Sequence, residues 1–336
     1  MLQRCERPLW SAYDLALLDL DGVVYVGPES VSGAAQHLTD AQRAGMHLAY
    51  VTNNASRTPS AVADHLQALG VPAAPGDVVT SAQAAARLLA DKLSPGAAVF
   101  VIGGTGLYDA VAERGLRGVQ DPADRPEAVV SGYHPDLRWR VVIEGAVLVR
   151  NGMHWVAANT DLTMPTSLGE APGNGALVEL VERFSGRSPE VAGKPAAPLF
   201  EETVRRVGGE RPLVVGDRLD TDIEGAANAG LDSLLVLTGV TGLDQLVAAR
   251  GGRRPTYLAV DLAGLGQPHD APQVEDAEAR LDGWTARVLQ GRLEVTGEGQ
   301  PDAWWRVVAS AAWRHLDSTG DPVDVAGLRP PGHAGR

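Results

Sequence analysis

The 336-residue chain has one cysteine, Cys5, three phenylalanines, and two lysines, Lys92 and Lys194, among 29 basic residues. A single cysteine excludes an internal disulfide framework and a cysteine-based zinc site. No run of 18 apolar residues occurs, so nothing reads as a membrane span. The first ten residues, with Arg4, Glu6, Arg7 and Pro8, lack the apolar core of a signal peptide. A cytoplasmic protein without membrane insertion is therefore expected. Positive charge is also scarce, 29 basic against 42 acidic residues, a net charge of −13. Nucleic acid and anionic membrane surfaces are poor partners for such a chain, because binding them rests on Lys and Arg neutralising phosphates. What is present is 44% hydrophobic residues in mixed patterns and 39 glycines. That excludes collagen-like, coiled-coil and largely disordered chains. At ~100–200 residues per domain, the length predicts two or three domains.

Apolar strand-like runs alternate with helix-like spacing. Asp14 to Asp19 (DLALLD), Met46 to Val51, Asp77 to Thr80, Ala97 to Ile102, Ala128 to Ser131, Trp155 to Asn159, Leu213 to Val215 and Leu231 to Leu237 read as strands. Helices are predicted over 33–45, 106–114, 137–150, 175–185, 195–207 and 221–229, with Thr58 capping a helix that opens at Pro59 and Ser81 capping the next. The alternation predicts βαβ units and a mostly parallel sheet. Composition breaks at Arg250 to Pro255 (RGGRRP). Two strands, Thr285 to Leu289 and Arg292 to Thr296, and a Trp-rich helix, Ala303 to Leu316, lie beyond it.

Asp19 and Asp21 lie two apart at a strand end, where a period of two points both to one face. Adjacent carboxylates repel unless a cation or proton sits between them, which suits Mg²⁺ or a shared acid–base duty. The pair alone reads equally well as an acidic turn. Thr52-Asn53-Asn54 repeats the pattern of apolar strand and polar turn, able to hold a phosphate but also ordinary as a turn. Lys194-Pro195 places a compact cation at the start of a predicted helix; since nearly every other basic residue is arginine, a retained lysine is informative. Gly216-Asp217 ends another strand in an acid able to complete a metal site, and Asp220 or Asp222 is expected to cap the helix beyond.

In order and spacing, Asp19-Leu20-Asp21-Gly22-Val23, Thr52-Asn53-Asn54, Lys194-Pro195 and Gly216-Asp217 with Thr221-Asp222 resemble the four motifs of the haloacid dehalogenase (HAD) superfamily phosphatases. The closer resemblance is to the NagD-like, p-nitrophenyl phosphatase branch. It covers roughly Leu15 to Tyr257, and with its extension the chain is similar to actinobacterial glycerol 3-phosphate phosphatases, whose tail resembles part of an acetyltransferase fold. The resemblance implies an α/β protein with a Rossmann-like core (1–81 and 190–258), an inserted α/β cap (82–189) and a small α+β C-terminal extension (259–336). It implies Asp19 as nucleophile forming an aspartyl-phosphate, Asp21 as acid and base, and Mg²⁺ held by Asp19, the Asp21 carbonyl and Asp217. It further implies phosphate binding by Thr52, Lys194 and the backbone N–H groups of Asn53 and Asn54. Asp222 would orient Lys194 or a metal-bound water, and the cap residues Asn159 and Asp161 would meet the substrate. Glycerol 3-phosphate is the favoured substrate; phosphoglycolate, nucleoside monophosphates, sugar phosphates and pyridoxal phosphate are alternatives. A homodimer through the cap or the extension is expected.

Two readings compete. Gly103-Gly104-Thr105-Gly106 between a strand and a helix suggests a nucleotide loop, although it lacks full GxGxxG spacing. Alternatively Asp19 is a phosphoacceptor that turns over slowly. Acetyl transfer by the extension is disfavoured by its charge, 7 Arg against 12 acidic residues from Pro255 onward, a net −5. Trp284, Trp304, Trp305 and Trp313 read as packing residues.

Overall fold

The computed structural model describes residues 1–166, 169–275 and 278–331. The chain divides into two units. The first comprises Met1–Leu48, Leu69–Pro72 and Gly209–Arg336, and the second Ala49–Ala68 and Ala73–Gly208.

In the first unit the strands Tyr257–Ala259, Asp232–Val236, Pro212–Gly216 and Leu15–Leu18 lie side by side in that order, all parallel. Every residue of Leu15–Leu18 is buried, which explains the unbroken apolar run. The strand stops at Leu18, so the same-face reading of Asp19 and Asp21 does not hold. Asp19 is half-buried, Leu20 buried and Asp21 exposed, in a turn that Gly22 closes at φ 82°. The helix expected over 221–229 is instead a wide π-type turn, Leu219–Ile223, running into a short helix, Glu224–Asn228.

The C-terminal part adds two strands to those predicted. Gln273–Glu275, Glu278–Leu281, Trp284–Leu289 and Arg292–Gly297 form an antiparallel sheet. Its last two hairpins turn on Asp282-Gly283 (φ 45° and 78°) and Gln290-Gly291 (φ 49° and 80°). Paired left-handed residues match the twist of the flanking strands, so Asp-Gly was a legible signal for the missed strand before it. The helix Pro301–Thr319 packs on this sheet. Ala279, Ala286 and Leu293 of the sheet, Trp304, Trp305 and Trp313 of the helix, and Leu219, Ile223, Leu235 and Leu246 form one buried apolar core. The extension is thus continuous in packing with the turn Leu219–Ile223, which carries Asp220 and Asp222, and with the strand Asp232–Val236.

In the second unit Tyr50–Thr52, ending the strand His47–Thr52, pair in parallel with Val78–Thr80. A five-stranded parallel sheet runs Glu190–Val191, His154–Ala157, Ala128–Ser131, Ala98–Ile102, Arg117–Val119. Trp139–Arg150 and Asn174–Ser185 contribute to its core. An unpredicted hairpin, Thr163–Thr166 with Gly169–Pro172, comes after the loop 158–162. Its polar, Pro-containing strands carry no apolar period to read. Thr80, rather than Ser81, caps the helix Ser81–Ala90: Thr80 Oγ1 accepts from Gln83 N–H (3.3 Å) while Gln83 Oε1 accepts from Thr80 N–H (3.0 Å). The helix after Lys194 begins at Pro198, not Pro195, so Lys194 lies in the loop before it. Buried Glu202 on that helix gathers Arg114, Arg205 and Arg206, with Arg205 Nε at 3.1 Å.

Candidate active site

Asp19, Asp217 and Asp222 converge in the first unit, each offering a carboxylate oxygen within 4.8 Å of the others. Asp19 extends the strand ladder through its N–H to the Val215 carbonyl (2.8 Å). Asp217 and Asp222 are fully buried. Three carboxylates so close repel one another unless a cation intervenes, and an all-oxygen set suits a hard divalent ion. The backbone is shaped to admit them. A Cβ on Gly22 would stand 2.4 Å from Asp217 Oδ2, one on Gly239 2.0 Å from the same atom, and one on Gly216 2.2 Å from Asp222 Cβ. Val240 N–H donates to Asp217 Oδ2 (2.6 Å), and Arg218 N–H to Asp222 Oδ2 (3.1 Å). Asp222 is thus a member of the acidic group, and the cap expected of Asp220 or Asp222 is not found: Arg218 and Ile223 stand at the starts of the turn and the helix, and neither start has a side-chain cap. Asp220 instead meets the Arg218 guanidinium (3.0 and 3.1 Å), which holds its carboxyl below the usual range. Asp21, exposed, stands outside this carboxylate group, two residues beyond Asp19.

The second unit builds a polar hub on Asn53. Its side-chain Oδ1 accepts from Lys194 N–H (2.8 Å), and its Nδ2 donates to the Lys194 carbonyl (3.0 Å) and to both oxygens of Asp161 (3.0 and 3.1 Å). The Asn53 carbonyl accepts from Ser81 Oγ and Asn159 Nδ2, each at 2.6 Å. Asn159 is braced in turn by Asn174 Nδ2 on its carbonyl (2.7 Å). Gly193 lets the segments meet, since a Cβ there would lie 2.6 Å from the Ala158 carbonyl and from Asn53 Oδ1. Lys194 is 3% exposed, the setting of a placed cation rather than a surface one. Lys92, by contrast, is exposed and paired with Glu190. Asn54 N–H, expected to serve a phosphoryl oxygen, donates to Thr52 Oγ1 (3.1 Å), and the Asn54 side chain closes a turn on Ser56 (2.7 and 2.9 Å).

The Gly103-Gly104-Thr105-Gly106 turn is filled by protein. A Cβ on Gly104 would strike His134 at 2.1 Å, and one on Gly106 the Ala55 carbonyl at 2.4 Å. These glycines serve close packing. Sequence reasoning missed the Thr238–Thr241 loop, Ser81 and Asn174. The first had a signal, a polar Thr-Gly turn at the end of a parallel strand, as at the other sites.

Models of the haloacid dehalogenase-like hydrolase and HAD-hydrolase-like families match residues 16–117 and 191–265. The chain is 45% identical over 310 residues to a D-glycerol 3-phosphate phosphatase of Mycobacterium tuberculosis, covering 90% of this chain and 86% of that protein. The chain belongs to the haloacid dehalogenase-like hydrolases. Within that family, this hydrolase is also 35% identical over 252 residues to an acid sugar phosphatase of Staphylococcus aureus, covering 74% of this chain and 95% of that one. Among solved structures, a glycerol phosphate phosphatase from M. tuberculosis in complex with magnesium superposes with a TM-score of 0.84 at 44% identity, covering 93% of each chain. A double mutant of a thermostable NPPase from Geobacillus stearothermophilus gives 0.68 at 33% identity, covering 74% of this hydrolase and 96% of that chain. The match of 310 residues to the first relative exceeds what residues 1–258 can supply, so it reaches into the extension.

Proposed function

We propose that this hydrolase is a cytoplasmic, Mg²⁺-dependent phosphomonoesterase that converts glycerol 3-phosphate to glycerol and phosphate. The convergence of Asp19, Asp217 and Asp222 carries the reading, supported by the name of the 45% identical relative and the magnesium in a relative's structure. In our reading the catalytic core is 1–81 with 190–258, the cap is 82–189 and the extension is 259–336.

An Asp19 carboxylate oxygen attacks phosphorus as the bond to the glycerol oxygen breaks, leaving the phosphoryl group on Asp19. Asp21, in its acid form, protonates the departing alkoxide. As a carboxylate it then takes a proton from the water that attacks the phosphorus, releasing phosphate and restoring Asp19. Thr52 Oγ and Lys194 Nζ bind the other phosphoryl oxygens, a compact ammonium serving as a point charge. The Asn53 N–H adds a donor. Asp19, Asp217, Asp222 and the Asp21 carbonyl are the residues that would hold Mg²⁺, which supplies charge stabilisation on the transferring group. Asp161 meets the leaving group, and Asn159, buried and bonded to the Asn53 carbonyl and the Asp161 N–H, holds the loop that presents it.

Phosphate release across glycerol phosphates, phosphoglycolate, nucleoside monophosphates, sugar phosphates and pyridoxal phosphate, with and without Mg²⁺, tests this reading. Glycerol 3-phosphate should give the highest kcat/KM, and only with metal. Preference for a sugar phosphate would place the chain with its S. aureus relative instead. Binding of a nucleotide without hydrolysis would favour the rival class.

The partner proposal is a homodimer through the cap. Trp139, Ile143 and Val147, spaced by four on one helix, and Leu180 and Phe184 on the next are all exposed, with basic Arg138, Arg140 and Arg150 on the first and acidic Glu179 and Glu182 on the second. Sedimentation should give a dimer for the wild type and a monomer for Ile143→Glu; a monomeric wild type contradicts it.

A further inference from the structure

We infer that the C-terminal extension sets the affinity of the metal site by holding the loop that fixes Asp217, with Trp313 as its positioning residue. The inference rests on the proposal above that Asp217 is a metal ligand.

Asp217 is restrained from residues 238–241. Val240 N–H donates to its carboxylate (2.6 Å), Thr241 N–H donates to its carbonyl (3.2 Å), and Thr238 Oγ1 donates to the carbonyl of Gly22, which faces the same carboxylate (2.5 Å). A Cβ on Gly239 would stand 2.0 Å from Asp217 Oδ2, so no side chain can anchor the loop at that point; Thr238 and the Leu237 N–H, which donates to the Val260 carbonyl (3.1 Å), hold its N-terminal end, and its C-terminal end rests on the segment that follows. That segment is the helix Leu243–Val247, five residues long and too short to be stable by itself.

The extension supplies the missing support. Trp313 Nε1 donates to the Leu246 carbonyl (2.7 Å), with both residues buried. This is the one polar bond a tryptophan ring can make, and in an apolar core its direction specifies position. The ring is covered by the Arg254 guanidinium at 5.3 Å, which forks onto Asp317 with two bonds of 2.7 Å. The same long helix is anchored upstream, where Asp302 Oδ1 accepts from Val260 N–H (2.8 Å) and Arg306 Nε donates to the Leu258 carbonyl (3.0 Å). A continuous line therefore runs from Trp313 through Leu246 and its helix to Val240 and Asp217.

The test uses the full chain and Mg²⁺ alone. Titration calorimetry reads the dissociation constant and hydrogen exchange reads the amides of 238–241, for wild type, Asp217→Asn, Trp313→Phe and Arg254→Gln. Wild type should bind and Asp217→Asn should lose binding. Trp313→Phe should bind about ten-fold more weakly, the size of effect seen when a ligand's supporting contacts are removed. Its 238–241 amides should exchange faster, while kcat at saturating metal stays near wild type. Arg254→Gln should shift both readouts the same way by less, and it decides the matter if Trp313→Phe does not fold. Wild-type metal affinity and exchange in both variants would overturn this inference alone. Absence of Mg²⁺ binding by wild type, or its retention by Asp217→Asn, would remove the metal reading and this inference with it.

Discussion

Asn53 is the residue whose role the structure changes most. As part of Thr52-Asn53-Asn54 it reads as a phosphate-binding turn, yet its side chain is engaged with both backbone groups of Lys194 and with Asp161. It orders the lysine and joins it to the 159–161 loop. Asn53→Ala removes the bonds that Asn53 makes to the Lys194 backbone and to Asp161 without altering a reacting atom. Since a displacement of about 1 Å can cost on the order of 100-fold in rate, we expect kcat/KM to fall by about that factor while the circular dichroism spectrum is retained. The lysine itself was legible: one of two in the chain is nearly buried and the other lies on the surface. The role of Asn53 was not, because nothing local in the sequence brings Lys194 to it across 141 positions.

At the scale of elements, the eight parallel strands read from the sequence match the observed ones to within a residue or two, because buried apolar runs and polar turns are local signals, whereas the two- and three-residue strands Arg117–Val119, Glu190–Val191 and Tyr257–Ala259 are too short to show a pattern and were missed. Helix starts were read less well. Pro195 and Ser81 are good starting residues by type, but the chain starts its helices at Pro198 and caps with Thr80, and this leaves the Ser81 hydroxyl to hold the Asn53 carbonyl. The extension's first two strands are short and charged, so only the Asp-Gly turn announced the hairpin they lead into. A buried network ties this extension down. His269 Nε2 meets the Gly264 carbonyl (2.9 Å), its Nδ1 faces Arg306 Nη2 (3.1 Å), and the Tyr257 ring stands edge-on at 5.2 Å. Burial, then the Arg306 charge, push the His269 pKa down to about 4. The folded value lies below the unfolded one, so the stabilisation is complete above pH ~6.5 and is lost as pH falls toward 4. We expect the melting temperature to drop over that interval, and to drop less in His269→Gln, which keeps an acceptor for Arg306 without a titrating ring.

For the molecule as a whole, the net charge of −13 opposes the approach of a phosphate dianion at long range. Under the proposed function, the positive charge that offsets this repulsion comes from Lys194 and from the cation that Asp19, Asp217 and Asp222 would bind. The central claim is that Asp19 is the nucleophile of a metal-dependent phosphatase. It is tested most directly by acid-quenching the enzyme during turnover of glycerol 3-phosphate with Mg²⁺ and mapping the phosphoryl group by mass spectrometry. The account predicts an acid-stable, base-labile phosphoryl on the peptide carrying Asp19, and neither phosphoenzyme nor released phosphate from folded Asp19→Asn. Appreciable Mg²⁺-dependent phosphate release by that variant would contradict it.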